Sequence, residues 1–207
     1  INTPIKASNS NDIFGNICSV FAQESPYTSM MIEAEGEIHT QDAFEYIDAA
    51  KAVSPYYLLQ QTNLTEPTEA MLKYFDSSLP KKASVAEILK LATAVQSTIE
   101  YSPGQTNFAT TAAQSFSMKS GVCQDHAHVM LGLCRASNIP ARYVSGYFFA
   151  EESPNLASHA WIDFCSDIDK GIWISIDITH ACVTDARHIR LAIGRDYYSA
   201  APVKGVR

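Results

Sequence analysis

Gly121-Val122-Cys123-Gln124-Asp125-His126-Ala127-His128-Val129-Met130-Leu131-Gly132-Leu133-Cys134 places a cysteine where an apolar helical period begins. The spacing predicts a helix from about Val122 to Ser137, stopped by Asn138-Ile139-Pro140, with Cys123, Ala127, Met130, Leu131 and Cys134 on one inward face. A thiol at the head of that face lies in the positive end of the helix macrodipole, which favours thiolate over thiol. Cys123 is therefore a candidate nucleophile, whereas Cys134, further along the same face, reads as core.

Working outward, three strand-like runs follow the helix, over residues 141–149, 157–165 and 172–178. In the last, Ile172, Ile174 and Ile176 point one way and Trp173, Ser175 and Asp177 the other. The polar link Ser166-Asp167-Ile168-Asp169-Lys170-Gly171 reads as a hairpin loop, and a tip at Ile168 sets His159 directly opposite Asp177, with Cβ atoms about 5 Å apart. A slip of one residue would send the two side chains to opposite faces. On the expected register Asp177 holds one imidazole nitrogen and leaves the other for the thiol, which makes Cys123, His159 and Asp177 a relay for nucleophilic catalysis.

Upstream, residues 1–16 are turn-rich and read as a loop. Residues from Ile17 to about His39 suit two strands broken at Glu24-Ser25-Pro26. Thr65-Glu66-Pro67 starts a short helix to about Phe75. Ser84-Val85-Ala86-Glu87 reads as a capping box ahead of a helix running to about Glu100, with Val85, Ile88, Leu89, Ala92, Val95 and Ile99 as its buried stripe. Ser102-Pro103-Gly104 ends it.

The 207 residues are 46% hydrophobic and 18% charged, enough for a real core, and the net charge of −7 argues against nucleic acid or an anionic membrane as the main partner. No apolar run reaches the roughly 20 residues that a membrane span needs. The five cysteines, at 18, 123, 134, 165 and 182, form no CxxC pair and no disulfide framework, so a reducing, cytoplasmic compartment is expected. The chain opens on Ile1-Asn2-Thr3-Pro4 and stops at Gly205-Val206-Arg207, the look of a fragment or a processed form. The grouping of Cys123, Asp125, His126 and His128 invites a metal reading, but His126 and His128 diverge by about 160° on a helix, whereas chelating pairs sit three or four residues apart. Asp125 is expected to charge the first helical turn and to point away from the sulfur or serve a partner such as Arg142.

Gly121-Val122-Cys123-Gln124-Asp125, Ile139-Pro140-Ala141-Arg142-Tyr143-Val144-Ser145-Gly146-Tyr147, His159-Ala160-Trp161, Asp177-Ile178-Thr179 and Gly194-Arg195-Asp196-Tyr197 occur in that order. Together they resemble the bacterial branch of the transglutaminase-like superfamily, over roughly residues 84–206. The resemblance implies an α+β, papain-type fold: a helix bearing cysteine at its N-terminus, packed on an antiparallel sheet, with a partial N-terminal β unit. It implies that residues 1–53 are the tail of a β-rich domain and 54–207 the catalytic domain. It makes Cys123 the nucleophile, His159 the general base and acid, and Asp177 the orienting residue. Tyr101 also falls in a block typical of the family, and Tyr101, Gln124 and Trp161 are the residues expected toward the substrate. His126 departs from the family's usual apolar residue, and Ser199 stands where a second acid is common.

The expected activity is attack on an amide or isopeptide bond through a thioester. Water as acceptor makes a protease or amidase, and an amine makes a transamidase. The contrasting class is a non-catalytic binding or scaffold module that keeps the fold, against which the intact triad speaks. No cofactor or metal is expected, and no acidic cluster has the spacing of a calcium site. The expected partner is a peptide or protein amide.

Overall fold

The helix Cys123–Ala136 is buried on every side from Asp125 to Arg135, so it is the hub about which the other layers assemble. The computed structural model describes residues 7–22, 28–29, 31–33, 35–48, 53–150 and 157–205. In chain order the elements are β1 (Ser8–Asn11), β2 (Ile17–Val20), β3 (Glu45–Ile47), α1 (Glu69–Phe75), α2 (Val85–Thr98), β4 (Glu100–Tyr101), α3 (Ala112–Met118), β5 (Ser120–Gly121), α4 (Cys123–Ala136), β6 (Ala141–Phe148), β7 (Ala157–Asp167), β8 (Ile172–Asp177), β9 (Cys182–Val183), β10 (His188–Gly194) and α5 (Tyr197–Ala200).

The main sheet has the order β10-β6-β7-β8-β3, with β9 also paired to β8, and every pairing in it is antiparallel. One face carries Ala160, Ile162, Phe164, Ile174 and Ile176, and these close on Ala127, Met130, Leu131 and Cys134 of α4 to form the core. Ile88, Leu91, Ala92 and Val95 of α2, which packs against both α4 and β8, complete it. Burying each large aliphatic side chain stabilises the fold by about 1.5–3 kcal/mol. This is the α+β arrangement expected from the motif, with Cys123 at the head of the buried helix. Among the described residues no helix is long and apolar enough to cross a membrane.

The other face of the sheet carries charge. Asp163 is fully buried and accepts from Arg142 Nε at 3.0 Å, Arg190 Nη2 at 3.0 Å, Ser175 Oγ at 2.6 Å and Tyr46 Oη at 2.5 Å. Arg142 Nη1 also donates to Asp48 at 2.7 Å. Arg142 therefore serves Asp48 and Asp163 and is not the partner of Asp125, one of the two alternatives expected for that carboxylate, because it projects from the sheet face opposite α4. Tyr46 and Asp48 come from β3 and the residue after it, and that strand lies along β8 with Glu45 opposite Ile174.

Other local expectations change. Ser8–Asn11, read as loop, pairs with Ile17–Val20 as an antiparallel hairpin whose turn is held by Asp12 Oδ1 accepting the Phe14 and Asn16 amides at 2.8 and 2.9 Å. Among the described residues up to His39 no second strand follows, and the expected break at Glu24-Ser25-Pro26 lies outside them, as do residues 1–4 and Val206-Arg207. The early helix starts later than expected, capped by Thr68 at Met71 N. Ser84 does precede α2, but its hydroxyl makes no cap bond, and the Glu87 carboxylate accepts the Lys81 amide at 2.6 Å instead. The capping box is absent because its glutamate is taken by the incoming chain.

Candidate active site

Gly121 and Asp125 set the start of α4. Asp125 folds back so that its Oδ2 accepts the Val122 amide at 2.8 Å, half of a capping box, and the Thr106 hydroxyl at 2.7 Å. A Cβ on residue 121 would stand 2.6 Å from the Asp125 Cβ, so the turn leading into the cysteine requires glycine. The Cys123 and Gln124 amides, like the first amides of any helix, have no intrahelical carbonyl to bond.

Cys123 is half-buried at this end, and its sulfur meets the main-chain N–H groups of Ala160 and Gln124. Burial raises the thiol most, the Ala160 and Gln124 amides pull it down by less, the charges of Asp177 and Asp125 add to the rise, and together they push it up to about 11. The helix-start argument for a resting thiolate is thus outweighed by desolvation: Cys123 rests as a thiol.

The contact with Ala160 follows from uneven strand lengths. β8 pairs with β7 from Ile162↔Ile176 to Cys165↔Trp173, so β7 continues through His159 and Ala160 beyond the β8 pairing. The N-terminus of α4 sits against that overhang, one residue from His159. A bulge at Ser166, between the Cys165↔Trp173 and Asp167↔Ile172 pairs, sets this register. Extending it places Asp177 opposite Trp161, two residues away from the expected His159 partner. An offset of two keeps the same face, and diagonal neighbours remain within reach of long side chains. His159 Nε2 accordingly donates to Asp177 Oδ2 at 2.7 Å, which leaves Nδ1 as the free nitrogen.

Two further histidines reach the same carboxylate, and the sequence reading missed both. His180 Nδ1 lies 2.6 Å and His188 Nε2 3.0 Å from Asp177 Oδ2, while the His180 amide donates to Oδ1 at 3.2 Å. His188 is itself backed by Asp185, whose amide and Oδ1 each stand 3.1 Å from Nδ1. Burial raises the Asp177 carboxyl, but the hydrogen bonds from His159, His180 and His188 outweigh it and hold the group far below the usual carboxylate range. His180, three residues after an aspartate in a turn, carried a readable signal; His188 lies on a strand two elements later, and no local spacing announces it.

The remaining candidates divide. Tyr101 is 52% exposed and close enough to Cys123 for the sulfur's charge to raise its phenol, after burial as the larger cause. Gln124 is half-buried beside the thiol and donates weakly to Asn107 O at 3.4 Å. Trp161 is only 2% exposed; its ring stands beside the His159 imidazole, 6.1 Å between centroids, and fills the space where a Gly146 Cβ would be. It supports the histidine and offers no face to a substrate. His126 and His128 part as their spacing requires: His126 bonds Thr179 Oγ1 and Ile99 O, each at 3.0 Å, and His128 Nε2 accepts the Tyr197 amide at 3.2 Å. Ser199 caps α5 with Asp196.

A family model described as the transglutaminase-like superfamily matches residues 73–178. An uncharacterized protein of Mycobacterium tuberculosis is 28% identical over 228 aligned residues, covering 98% of this chain and 73% of that protein. A protein-glutamine gamma-glutamyltransferase of Pseudomonas aeruginosa is 30% identical over 104 residues, 44% of this chain and 15% of that one. Among solved structures, a candidate cysteine protease from Cytophaga hutchinsonii shares the fold, with a TM-score of 0.63 at 21% identity over 96% of this chain and 69% of its own.

Proposed function

Because the chain belongs to the transglutaminase-like superfamily, we propose that it is a cysteine-dependent amide or isopeptide hydrolase that works through Cys123, His159 and Asp177. The observation that carries this reading is the 2.7 Å bond from His159 Nε2 to Asp177, made one residue from the Ala160 amide that meets the Cys123 sulfur. That bond fixes the tautomer in which Nδ1 is a base.

Since the resting group is a thiol, attack is concerted with proton removal. His159 Nδ1 takes the Cys123 proton as sulfur bonds to the carbonyl carbon, and amides of the first helical turn steady the oxyanion. The imidazolium, stabilised by Asp177, then gives that proton to the departing amine and leaves a thioester. Water, deprotonated by the same nitrogen, releases the acid and restores the thiol. Tyr101 and Gln124 flank the approach, and the substrate is a peptide or protein amide. Five free cysteines suit a reducing compartment such as the cytoplasm.

A second reading, transfer of the acyl group to an amine, draws on the 30% identity to the P. aeruginosa glutamyltransferase. One experiment separates the two. A glutamine-containing peptide is incubated with the chain, with and without a primary amine, and both enzyme and peptide are followed by intact mass. Hydrolysis predicts an acyl adduct on Cys123 and conversion of the amide to acid whether or not amine is present; transfer predicts an amine-bearing peptide. If a panel of peptides and isopeptides yields neither product nor adduct, or yields them equally with Cys123→Ala, the enzymatic reading is wrong and a binding module takes its place.

A further inference from the structure

Three imidazoles around one buried carboxylate exceed what orienting a single catalytic histidine requires. Ligand atoms of His159, Asp177 and His188 all lie within 4.8 Å of one another. Donors around a tetrahedral zinc ion, at about 2.0–2.2 Å from it, stand roughly 3.4 Å apart, so Asp177 Oδ2, now 2.7 and 3.0 Å from the two Nε2 atoms, has to draw back slightly as the rings close on the ion. His180 Nδ1, 2.6 Å from the same Asp177 oxygen, stands outside this set, so solvent would supply the fourth position, as at an open zinc site. The His180 side chain is 43% exposed and stacked on Phe148 at 4.5 Å, and this gives an ion a path from solvent. Imidazole nitrogens with one carboxylate oxygen are the donor chemistry of zinc and its neighbours, not of calcium or magnesium.

An independent feature points the same way. A histidine that ligates a metal usually gives its other ring proton to a carboxylate, which fixes the tautomer. Asp185 Oδ1 stands 3.1 Å from His188 Nδ1, and Arg187 holds Asp185 in place with bonds of 2.6 and 2.9 Å. Without metal, the Nε2 protons of His159 and His188 point to Asp177. With metal, those nitrogens need lone pairs, so the protons move to Nδ1: on His188 to be accepted by Asp185 Oδ1, in place of the bond that the Asp185 amide now donates to Nδ1, on His159 toward the thiol. His180 keeps its Nδ1 proton directed at Asp177. No proton has to leave the protein.

We infer that His159, Asp177 and His188 form a binding site for one divalent transition-metal ion of the zinc class, and that filling it withdraws His159 from the relay. The inhibitory consequence rests on the catalytic reading above; the binding does not.

The test is calorimetric titration of the metal-stripped chain with zinc chloride, paralleled by the visible absorption of cobalt(II), in wild type, Asp185→Asn, His188→Asn and Cys123→Ala. Thermal melts check that each is folded, and Asp185 is exposed enough for its variant to keep the fold. The expected result is one ion per chain with tetrahedral cobalt bands in wild type and in Cys123→Ala. Binding should weaken roughly 10–100-fold in Asp185→Asn and vanish in His188→Asn. Absence of one-to-one binding in wild type overturns the inference. So does binding indifferent to both Asp185→Asn and His188→Asn, or abolished by Cys123→Ala, which would put the ion on the thiol. Neither signal needs turnover, so a zinc-binding chain that never acylates sinks the catalytic reading alone. An acylating chain that ignores zinc sinks this inference alone.

Discussion

His159 and Asp177 are diagonal neighbours across β7 and β8, and the bond between them, 2.7 Å from Nε2 to Oδ2, spans that diagonal. The offset leaves room beside Asp177 for His180 and His188 on the same oxygen. The carboxylate is thus held from three sides before any substrate arrives.

Replacing Asp177 with asparagine keeps the shape but gives two N–H donors and a single acceptor oxygen to three imidazoles that all donate. His159 then loses its fixed tautomer. The rate of thioester formation on Cys123 should fall about a thousandfold or more, with little change in KM. Acylation at the wild-type rate would show that Asp177 does not orient the base.

The pH profile of Cys123 alkylation by iodoacetamide, read by mass spectrometry, reports the resting thiol directly. Burial places its pKa at about 11, so alkylation at pH 7 should be slow and should rise steadily through pH 10. A fast plateau below pH 7 would mean a preformed thiolate, and attack concerted with proton removal by His159 would have to be abandoned.

His128 is fully buried, and burial depresses its imidazole to about 4, from an unfolded value near 6.5. The unfolded chain therefore takes up this proton first as pH falls. Stability from the neutral ring is full above pH 6.5 and declines down to about pH 4, by about 3 kcal/mol in all. Urea melts between those limits should show this slope in wild type and a flatter one in His128→Gln. Parallel slopes would remove His128 as the cause.

Asp163 titrates with the same sign for a different reason. Burial raises its carboxyl, but the Arg190 and Arg142 charges prevail and hold it below its ordinary value. Its contribution is present above the unfolded pKa of about 4 and lost as pH falls through the lower folded one. Asp163→Asn leaves two arginines facing a neutral amide, and should lower stability at pH 7 by about 3–5 kcal/mol in thermal or urea melts. A loss under 1 kcal/mol would show that Asp48 and Tyr46 satisfy those arginines unaided.

Gly146→Ala tests the support behind His159. The added Cβ would lie 2.4 Å from Trp161 Cη2 and 2.3 Å from the Ile189 carbonyl oxygen. Overpacking of this kind costs about 1–3 kcal/mol, and displacing Trp161 disturbs the imidazole beside it. A lowered melting temperature with shifted tryptophan emission and slower acylation is expected; an unchanged acylation rate would detach Trp161 from the site.

Much of this was readable from the chain. The motif helix was placed within a residue of its observed start and end, and the three strands after it within two, because helical and alternating periods are local signals. The shared face of His159 and Asp177 was also readable, since parity survives an error of two residues. The register itself was not, because the bulge at Ser166 leaves no mark in composition. His188 was invisible because its partner lies across the sheet. The opposing effect of burial on Cys123 was not readable either, because a helix dipole is visible in sequence and the depth of burial is not. Ser84-Val85-Ala86-Glu87 misled because the pattern does not reveal that the Lys81 amide competes for the same carboxylate.

The bulge at Ser166 also separates two parts of the β7–β8 hairpin that have different tolerances. Between it and His159 every pair is in strict alternation, and gaining or losing one residue there would turn Asp177 to the wrong side. On its far side the chain has mainly to turn around: Lys170 bonds only to Asp167, while Gly171 donates to Ile168 O and takes the Asp48 amide on its own carbonyl at 3.1 Å, which fixes the far end of the tip. Drift in chain length over evolution, or a peptide grafted by an engineer, can be absorbed at Asp169 and Lys170, ahead of the Gly171 anchor, with the relay left in phase.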